Sequence, residues 1–189
     1  SARNIGPFYK DSPHPEKSLF WFAFNTSKRG ITLDIEQPDG GEIFKRLVKT
    51  AHFVVESNRL GFMQSLGLGY SDLEKVKSDI ILTSITPFGQ SGPYSGYQAT
   101  DLVGLAMGGL MSILGDANCP VRISSGPQVY LQAGLQAAMA SVIAHYHRQV
   151  SGQGQHVDVS MQEAVVLTAP IVAETYEFVK VNLSGSGPN

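Results

Sequence analysis

The sequence predicts an α/β fold: a parallel sheet with helices on its faces. Three observations carry this. Helix and strand signals alternate between residues 38 and 86, with short connections of the kind that parallel βα units use. The clearest strand signal is an apolar run, Ile80, Ile81, Leu82 and Ile85. A Gly/Pro loop, Pro87-Phe88-Gly89-Gln90-Ser91-Gly92-Pro93, follows that run, and open α/β sheets collect ligands at the carboxyl ends of their strands.

Taken in order, residues 1–24 read as an extended lead-in that ends in the aromatic run Phe20 to Phe24. Asn25 to Gly30 makes a polar turn, and Ile31 to Ile35 alternates as a short strand. Pro38-Asp39-Gly40-Gly41 breaks the chain. Ile43, Phe44, Leu47 and Val48 then share one helical face. Phe53-Val54-Val55 is a short buried-type strand. Gly67-Leu68-Gly69 is a turn, and Ser71 with Glu74 forms a capping box that opens a short helix. Asp79 to Thr86 is the clearest strand. Asp101 to Leu114 reads as a glycine-rich helix, which close backbone packing or a ligand would have to compensate, at about 1 kcal/mol per glycine relative to alanine. Leu131 to Tyr146 is the longest helix candidate, with a small-residue face of Gly134, Ala137, Ala138, Ser141 and Ala144. Gln155 to Val159 is a further strand. Ser160 with Glu163 opens a helix that Pro170 bends or ends.

Composition bounds the function. With 189 residues, 42% hydrophobic and 16% charged, the chain can bury a sizeable core. A net charge of −2 gives no reason to expect a nucleic-acid or anionic-membrane surface. No apolar run of about 18 residues is present, so no membrane-spanning helix is expected. The single cysteine, Cys119, in an Asn-Cys-Pro loop, excludes an internal disulfide and fits a reducing, cytoplasmic setting. The first residues carry no signal peptide, and both ends read as cut from a longer protein.

Familiar catalytic signatures are missing. There is no Gly-x-Ser-x-Gly elbow, and Gly67-Leu68-Gly69 lacks the third glycine and the strand of a dinucleotide fingerprint. His145 and His147, two apart, point to different helix faces, and His156 lies across a turn, so no metal is expected. Arg3, Lys28, Arg29 and Arg59 fall in loops, where basic groups commonly hold anions.

Five short motifs run in a fixed order: Asn25 to Asp34; Glu56-Ser57-Asn58-Arg59-Leu60-Gly61; Leu66-Gly67-Leu68-Gly69-Tyr70; Phe88 to Tyr94; and Gly152-x-Gly154-Gln155-x-Val157-Asp158-x-Ser160-Met161. In this order they resemble the class III CoA-transferases, the group that includes formyl-CoA and carnitine CoA-transferases and the 2-methylacyl-CoA racemases. The resemblance implies a Rossmann-like large domain over residues 25–168, with 169–189 starting a linker toward a small domain absent from this chain, and two subunits that interlock. It implies coenzyme A and acyl-CoA as substrates together with a small carboxylic acid. By position, Arg3 resembles a phosphate-contacting arginine and Leu33 an adenine-contacting residue. Ser57 and Asn58 stand where the family has Asn and Phe, and Arg59 follows them as a basic neighbour.

In the resembled reaction an aspartate attacks an acyl-CoA thioester to give a mixed anhydride. The CoA thiolate then forms an enzyme thioester, and the acceptor acid completes the exchange. That aspartate stands four residues before the glycine matching Gly134, where this chain has Tyr130. A phenol cannot form the acyl anhydride. Between Asp116 and Asp158 there is no Asp or Glu. Asp101 matches a family acidic position, and a capping or first-turn charge is the better reading of it than catalysis. The racemases have a histidine before that position, and here it is Thr100. Three readings follow. The chain is a subunit whose aspartate sits on a paralogous partner, as in enzymes resembling benzylsuccinate CoA-transferase; or a divergent enzyme using Asp101, Glu56 or Tyr130; or a module that holds acyl-CoA without turnover.

Overall fold

The computed structural model describes residues 2–116, 119–120 and 126–183, and the chain forms two compact units, Ser1–Asp34 and Ile35–Asn189. The expected turn at Ser184 to Asn189 lies outside the described residues, as do Asn118 and the flank of the Cys119 loop.

In the first unit the lead-in is not extended. It folds as short 3-10 turns at Ala2–Asn4 and Tyr9–Asp11, an isolated antiparallel bridge between Phe8 and Ser18, and a helix, α1, over Leu19–Asn25. Ser18 explains the helix that the aromatic run conceals. Its buried hydroxyl accepts from the Trp21 amide at 3.1 Å and donates to the Ile5 carbonyl at 2.6 Å, capping α1 and tying it to the preceding turn. Phe20 and Phe24 then pack one turn apart, their rings tilted by 56° with centroids 4.8 Å apart. The strand expected at Ile31 to Ile35 does not form. Ile31 is 70% exposed, and alternation alone makes no strand without a neighbour to pair with.

The second unit is built on a three-stranded parallel sheet in the order β1-β2-β5. These strands are β1 (Phe53–Glu56), β2 (Ile81–Thr86) and β5 (Gln155–Ser160); the short ladder β3 (Gly115–Asp116) and β4 (Cys119–Pro120) forms a separate pair. Strand β2 is central, and its near-continuous burial is the mark of a strand covered on both faces. Register decides which side chains share a face. Val54, Leu82 and His156 lie on one, where α2 (Pro38–Val48), α3 (Phe62–Ser65) and α4 (Tyr70–Val76) build a core around Val48, Met63, Leu68, Leu73 and Ile80. Phe53, Ile81 and Thr83 lie on the other, under α7 (Gln128–Ser151). There the Thr83 and Ser141 hydroxyls bond at 2.7 Å, and Phe53 meets His145. Helices therefore flank the sheet on both faces.

Several boundaries differ from the sequence reading. Helix α2 starts at Pro38 itself, because a proline at the first helical position loses no hydrogen bond. Helix α4 is capped by Gly69 rather than by the Ser71 box; a Cβ at Gly69 would stand 2.9 Å from Gln64 Cγ, so the turn lies tight on α3. The glycine-rich segment breaks into α5 (Asp101–Met107) and α6 (Leu110–Ile113) at Gly109, whose φ of +79° ends the helical path. Its glycines do pack closely: a Cβ at Gly104 would lie 2.8 Å from Val129 on α7, and one at Gly108 would overlap Val165 on α8 (Met161–Val166). Ser160 caps α8 by accepting from the Glu163 amide, and Pro170 opens a new helix, α9 (Pro170–Val179).

Candidate functional site

The carboxyl ends of all three parallel strands open on one cavity of about 760 Å³. After β1, the Glu56 carboxylate accepts from the Asn58 amide at 2.7 Å and turns the chain, so that Ser57 to Leu60 line the cavity. Arg59 holds its guanidinium 5.8 Å over the Phe62 ring. After β2, Thr86 and Pro87 form another wall, and after β5 comes Met161.

The loop that follows β2 is braced from β5. The Asp158 carboxylate accepts from the Gln90 amide at 2.8 Å, and Gly89, at φ +82°, brings the backbone over it. A Cβ there would lie 3.5 Å from the same carboxylate. Two of the motifs legible in the sequence thus meet in space. Beyond the glycines, Phe88, Tyr94 and Tyr97 form an aromatic cluster with centroids 5.5 to 6.4 Å apart, and Tyr97 faces the cavity.

Tyr130 lies in the first turn of α7, 46% exposed, and also lines the cavity. Asp101 fixes that turn. Its Oδ1 accepts from the Val129 amide at 2.8 Å and the Tyr130 amide at 3.4 Å, which satisfies two donors that a helix start leaves open. Asp101 caps α7, the neighbouring helix, rather than its own, and its carboxylate is engaged there.

The structure therefore brings Tyr130, Ser57, Asn58 and Arg59 to one cavity and sets Asp101 behind Tyr130. Arg3 and Leu33 belong to the other unit, where the Arg3 guanidinium pairs with Glu16 at 2.6 Å and stands 4.2 Å over Trp21. Sequence reasoning missed Thr86, Tyr97 and Met161. Thr86 ends β2 and Met161 follows β5 as the first residue of α8, and strand ends were the available signal for both. Thr86 is 1% exposed, and its hydroxyl is the one buried side-chain polar atom without a partner among the described residues.

Arg148 takes a structural role. Buried in the last turns of α7, it donates to the carbonyls of His52 at 2.8 Å and Asp79 at 3.0 Å, and to His145 Nδ1 at 2.7 Å, stitching the helix to the amino ends of the strands.

Known proteins resemble this chain in sequence and in fold. Among curated relatives, the chain is 36% identical over 176 residues to the succinyl-CoA:(R)-benzylsuccinate CoA-transferase subunit BbsE of Thauera aromatica, covering 93% of this chain and 43% of the relative. It is 33% identical to the succinyl-CoA–D-citramalate CoA-transferase of Chloroflexus aurantiacus, covering 85% and 40%. It is 30% identical to the beta subunit of the succinyl-CoA–L-malate CoA-transferase of the same organism, covering 78% and 37%. Among solved structures, a CAIB/BAIF family protein from Brucella suis superposes with a TM-score of 0.89 at 28% identity, over 98% of this chain and 49% of that one. The chain spans less than half the length of these relatives. The family model described as CoA-transferase family III matches residues 1–186, and this chain belongs to that family.

Proposed function

We propose that this chain is part of an acyl-CoA:carboxylate CoA-transferase that moves CoA between a thioester and a small free carboxylic acid, and that it serves there as a subunit without the nucleophile. The observation that carries the reading is the cavity: among the described residues no carboxylate lines it, and Tyr130 occupies the wall where the family aspartate is expected. The two carboxylates weighed from the sequence are engaged elsewhere, Glu56 with the Asn58 amide and Asp101 with the first turn of α7. Covalent acyl transfer needs an unblocked nucleophile, so an aspartate-bearing paralogue supplies it in a heteromer. Two of the relatives named above are themselves subunits.

In this reading Ser57, Asn58 and Arg59 receive part of the CoA thioester; Arg3 and Leu33, which belong to the other unit, stay candidates for phosphate and adenine contacts by family position alone. Residues 25–168 act as the large domain, and 169–189 lead toward a small domain. The protein works in the cytoplasm as an interlocked dimer, and the unpaired Cys119 suits that reducing setting. The test is CoA-transfer activity of the full-length protein, alone and with its aspartate-bearing paralogue, across a panel of acyl-CoA donors. Silence alone and turnover with the paralogue are expected. Turnover by the full-length wild type alone would overturn the subunit reading. Activity that appears in Tyr130→Asp alone would identify a lost nucleophile on an intact scaffold.

A further inference from the structure

Helix α7 is apolar on both sides, and only one side is covered. Its inner row, Val129, Ala133, Ala137, Ser141, Ala144 and Arg148, is buried where the helix lies on the sheet and beside α5 and α8. Its outer row is Leu131, Leu135, Met139, Val142, Tyr146 and Val150, and each is between 38% and 78% exposed. The row is continuous. Its 4-4-3 spacing is an eleven-residue repeat, close to a whole number of helical turns, so the six side chains stay on one side of the helix. At 1.5 Å per residue the row is about 28 Å long. A surface helix ordinarily turns a polar, charged face outward, and a helix apolar all round is a buried one. The one Lys, Arg, Asp or Glu of α7 is Arg148, and it is engaged on the inner side by the carbonyls of His52 and Asp79. Among the described residues no helix is long and apolar enough to cross a membrane, so another protein surface is the cover that fits.

Register points to which surface. The row is symmetric about its midpoint: Leu131 and Val150, Leu135 and Tyr146, and Met139 and Val142 stand at equal distances from it. Turned end for end, the row repeats its own spacing. A two-fold axis between antiparallel copies therefore sets those residues opposite one another in three layers, each member of one row meeting a member of the other. A segment from elsewhere in the chain, or an unrelated partner, would ask no such symmetry of the helix. Charge permits the pairing as well, since neither row carries an ion and no like charges meet across the axis. We propose that a second copy of this chain docks on the outer face of α7, its own α7 antiparallel about a two-fold axis near residues 140 and 141. Leu131 directly follows Tyr130 of the cavity wall, so the pairing also brings the end of the second copy's α7 beside that wall. It assigns helix, direction and register to the dimer named above, and it stands on the surface of α7 whether or not the chain is a transferase.

Cross-linking of the full-length protein tests it, in a background from which Cys119 and any other cysteine have been replaced. The thiols of Leu131→Cys/Val150→Cys lie about 28 Å apart within one helix, beyond the reach of a short bismaleimide, and opposite each other across the axis. This variant is expected to give cross-linked dimer about tenfold or more above Leu131→Cys alone, and Leu135→Cys/Tyr146→Cys should do the same one layer inward. All four positions are on the exposed side, so the substitutions leave the inner packing intact. No dimer from either double variant would overturn the proposal. So would an equal yield from Leu131→Cys alone, which marks parallel helices, or a wild type that sediments as a monomer. Cross-linking that appears only when an aspartate-bearing paralogue is added overturns it too, because the cover is then the paralogue. CoA transfer by the same sample separates the two readings. Cross-linking without transfer beside any paralogue sinks the transferase reading alone, and transfer without cross-linking sinks the α7 pairing alone.

Discussion

Gly154 is fixed by steric contact alone. It begins the turn into β5, its amide donates to the Ser78 carbonyl at 3.1 Å, and a Cβ there would overlap the carbonyl oxygen and amide nitrogen of Ile80. Both obstructing atoms are backbone, so no side chain can swing aside. Gly154→Ala is expected to destabilise the fold by about 2–3 kcal/mol, the range for forced overpacking. The urea midpoint should fall while the slope of the transition stays the same. Gly152 makes the contrast: its φ of +73° ends α7 in the left-handed region, with open space around it, so alanine there meets conformational strain and no collision. Two glycines of one motif thus answer to different constraints, and spacing alone cannot tell them apart.

Helix α7 joins the cavity to the sheet, and it does so with groups from other elements at both ends. Arg148 binds its last turns to the carbonyls of His52 and Asp79, and Asp101 caps its first turn from α5. Asp101→Ala is expected to cost about 1 kcal/mol, the usual worth of such a cap, and Asp101→Asn less, because an amide oxygen still accepts. Thermal unfolding of the two variants beside the wild type measures this. If Asp101 were instead a nucleophile with no capping role, the alanine variant would melt with the wild type. The alternation of strands and helices was legible because apolar period and turn residues report it directly: Phe53 to Val55 and Gln155 to Val159 lie on observed strands, and Asp79 to Thr86 contains β2, which starts two residues later at Ile81. The Ile31 to Ile35 strand was misread because alternation describes a half-buried surface and says nothing about whether a pairing partner is present. α1 was missed because its one cap, Ser18, lies ahead of a run with no polar face. At the cavity, Ser57 to Arg59 and Tyr130 could be found from motif position. Thr86 could be reached only as the end of a strand; its unpaired hydroxyl and the braced ring of Tyr97 are properties of packing that no motif reports.

At the scale of the molecule, two ionisable groups among the described residues have shifted titrations that bear on how stability responds to pH, one at each end of the scale. Asp79 accepts from Lys77 at 2.5 Å, and that hydrogen bond, with the Lys77 charge and the more distant Arg148, holds its carboxyl below the ordinary carboxylate value. A carboxyl lowered in the folded state adds stability that is present above the unfolded value, near ~4, and is lost as pH falls through the lower folded value. Tyr70 behaves in the opposite sense. Burial, then the charge of Glu74 and a hydrogen bond to it, push its phenol upward, and the ring stacks on His156 5.7 Å away at 11°. The unfolded chain therefore loses its phenolic proton first, and stability declines from about pH 10 until the folded phenol ionises. Both groups sit beside the core around Leu73 and Ile80, so their titration reports on the same cooperative unit. Asp79→Asn should flatten the acid limb of the urea midpoint against pH, and Tyr70→Phe the alkaline limb, each leaving the other limb unchanged. The acid effect will be the smaller and salt-sensitive one, because the Asp79 side chain is 40% exposed and water screens its pairing. A Tyr70→Phe variant whose alkaline limb still matches the wild type would show that another group controls unfolding there, and that the His156 stack is indifferent to the charge on the phenol.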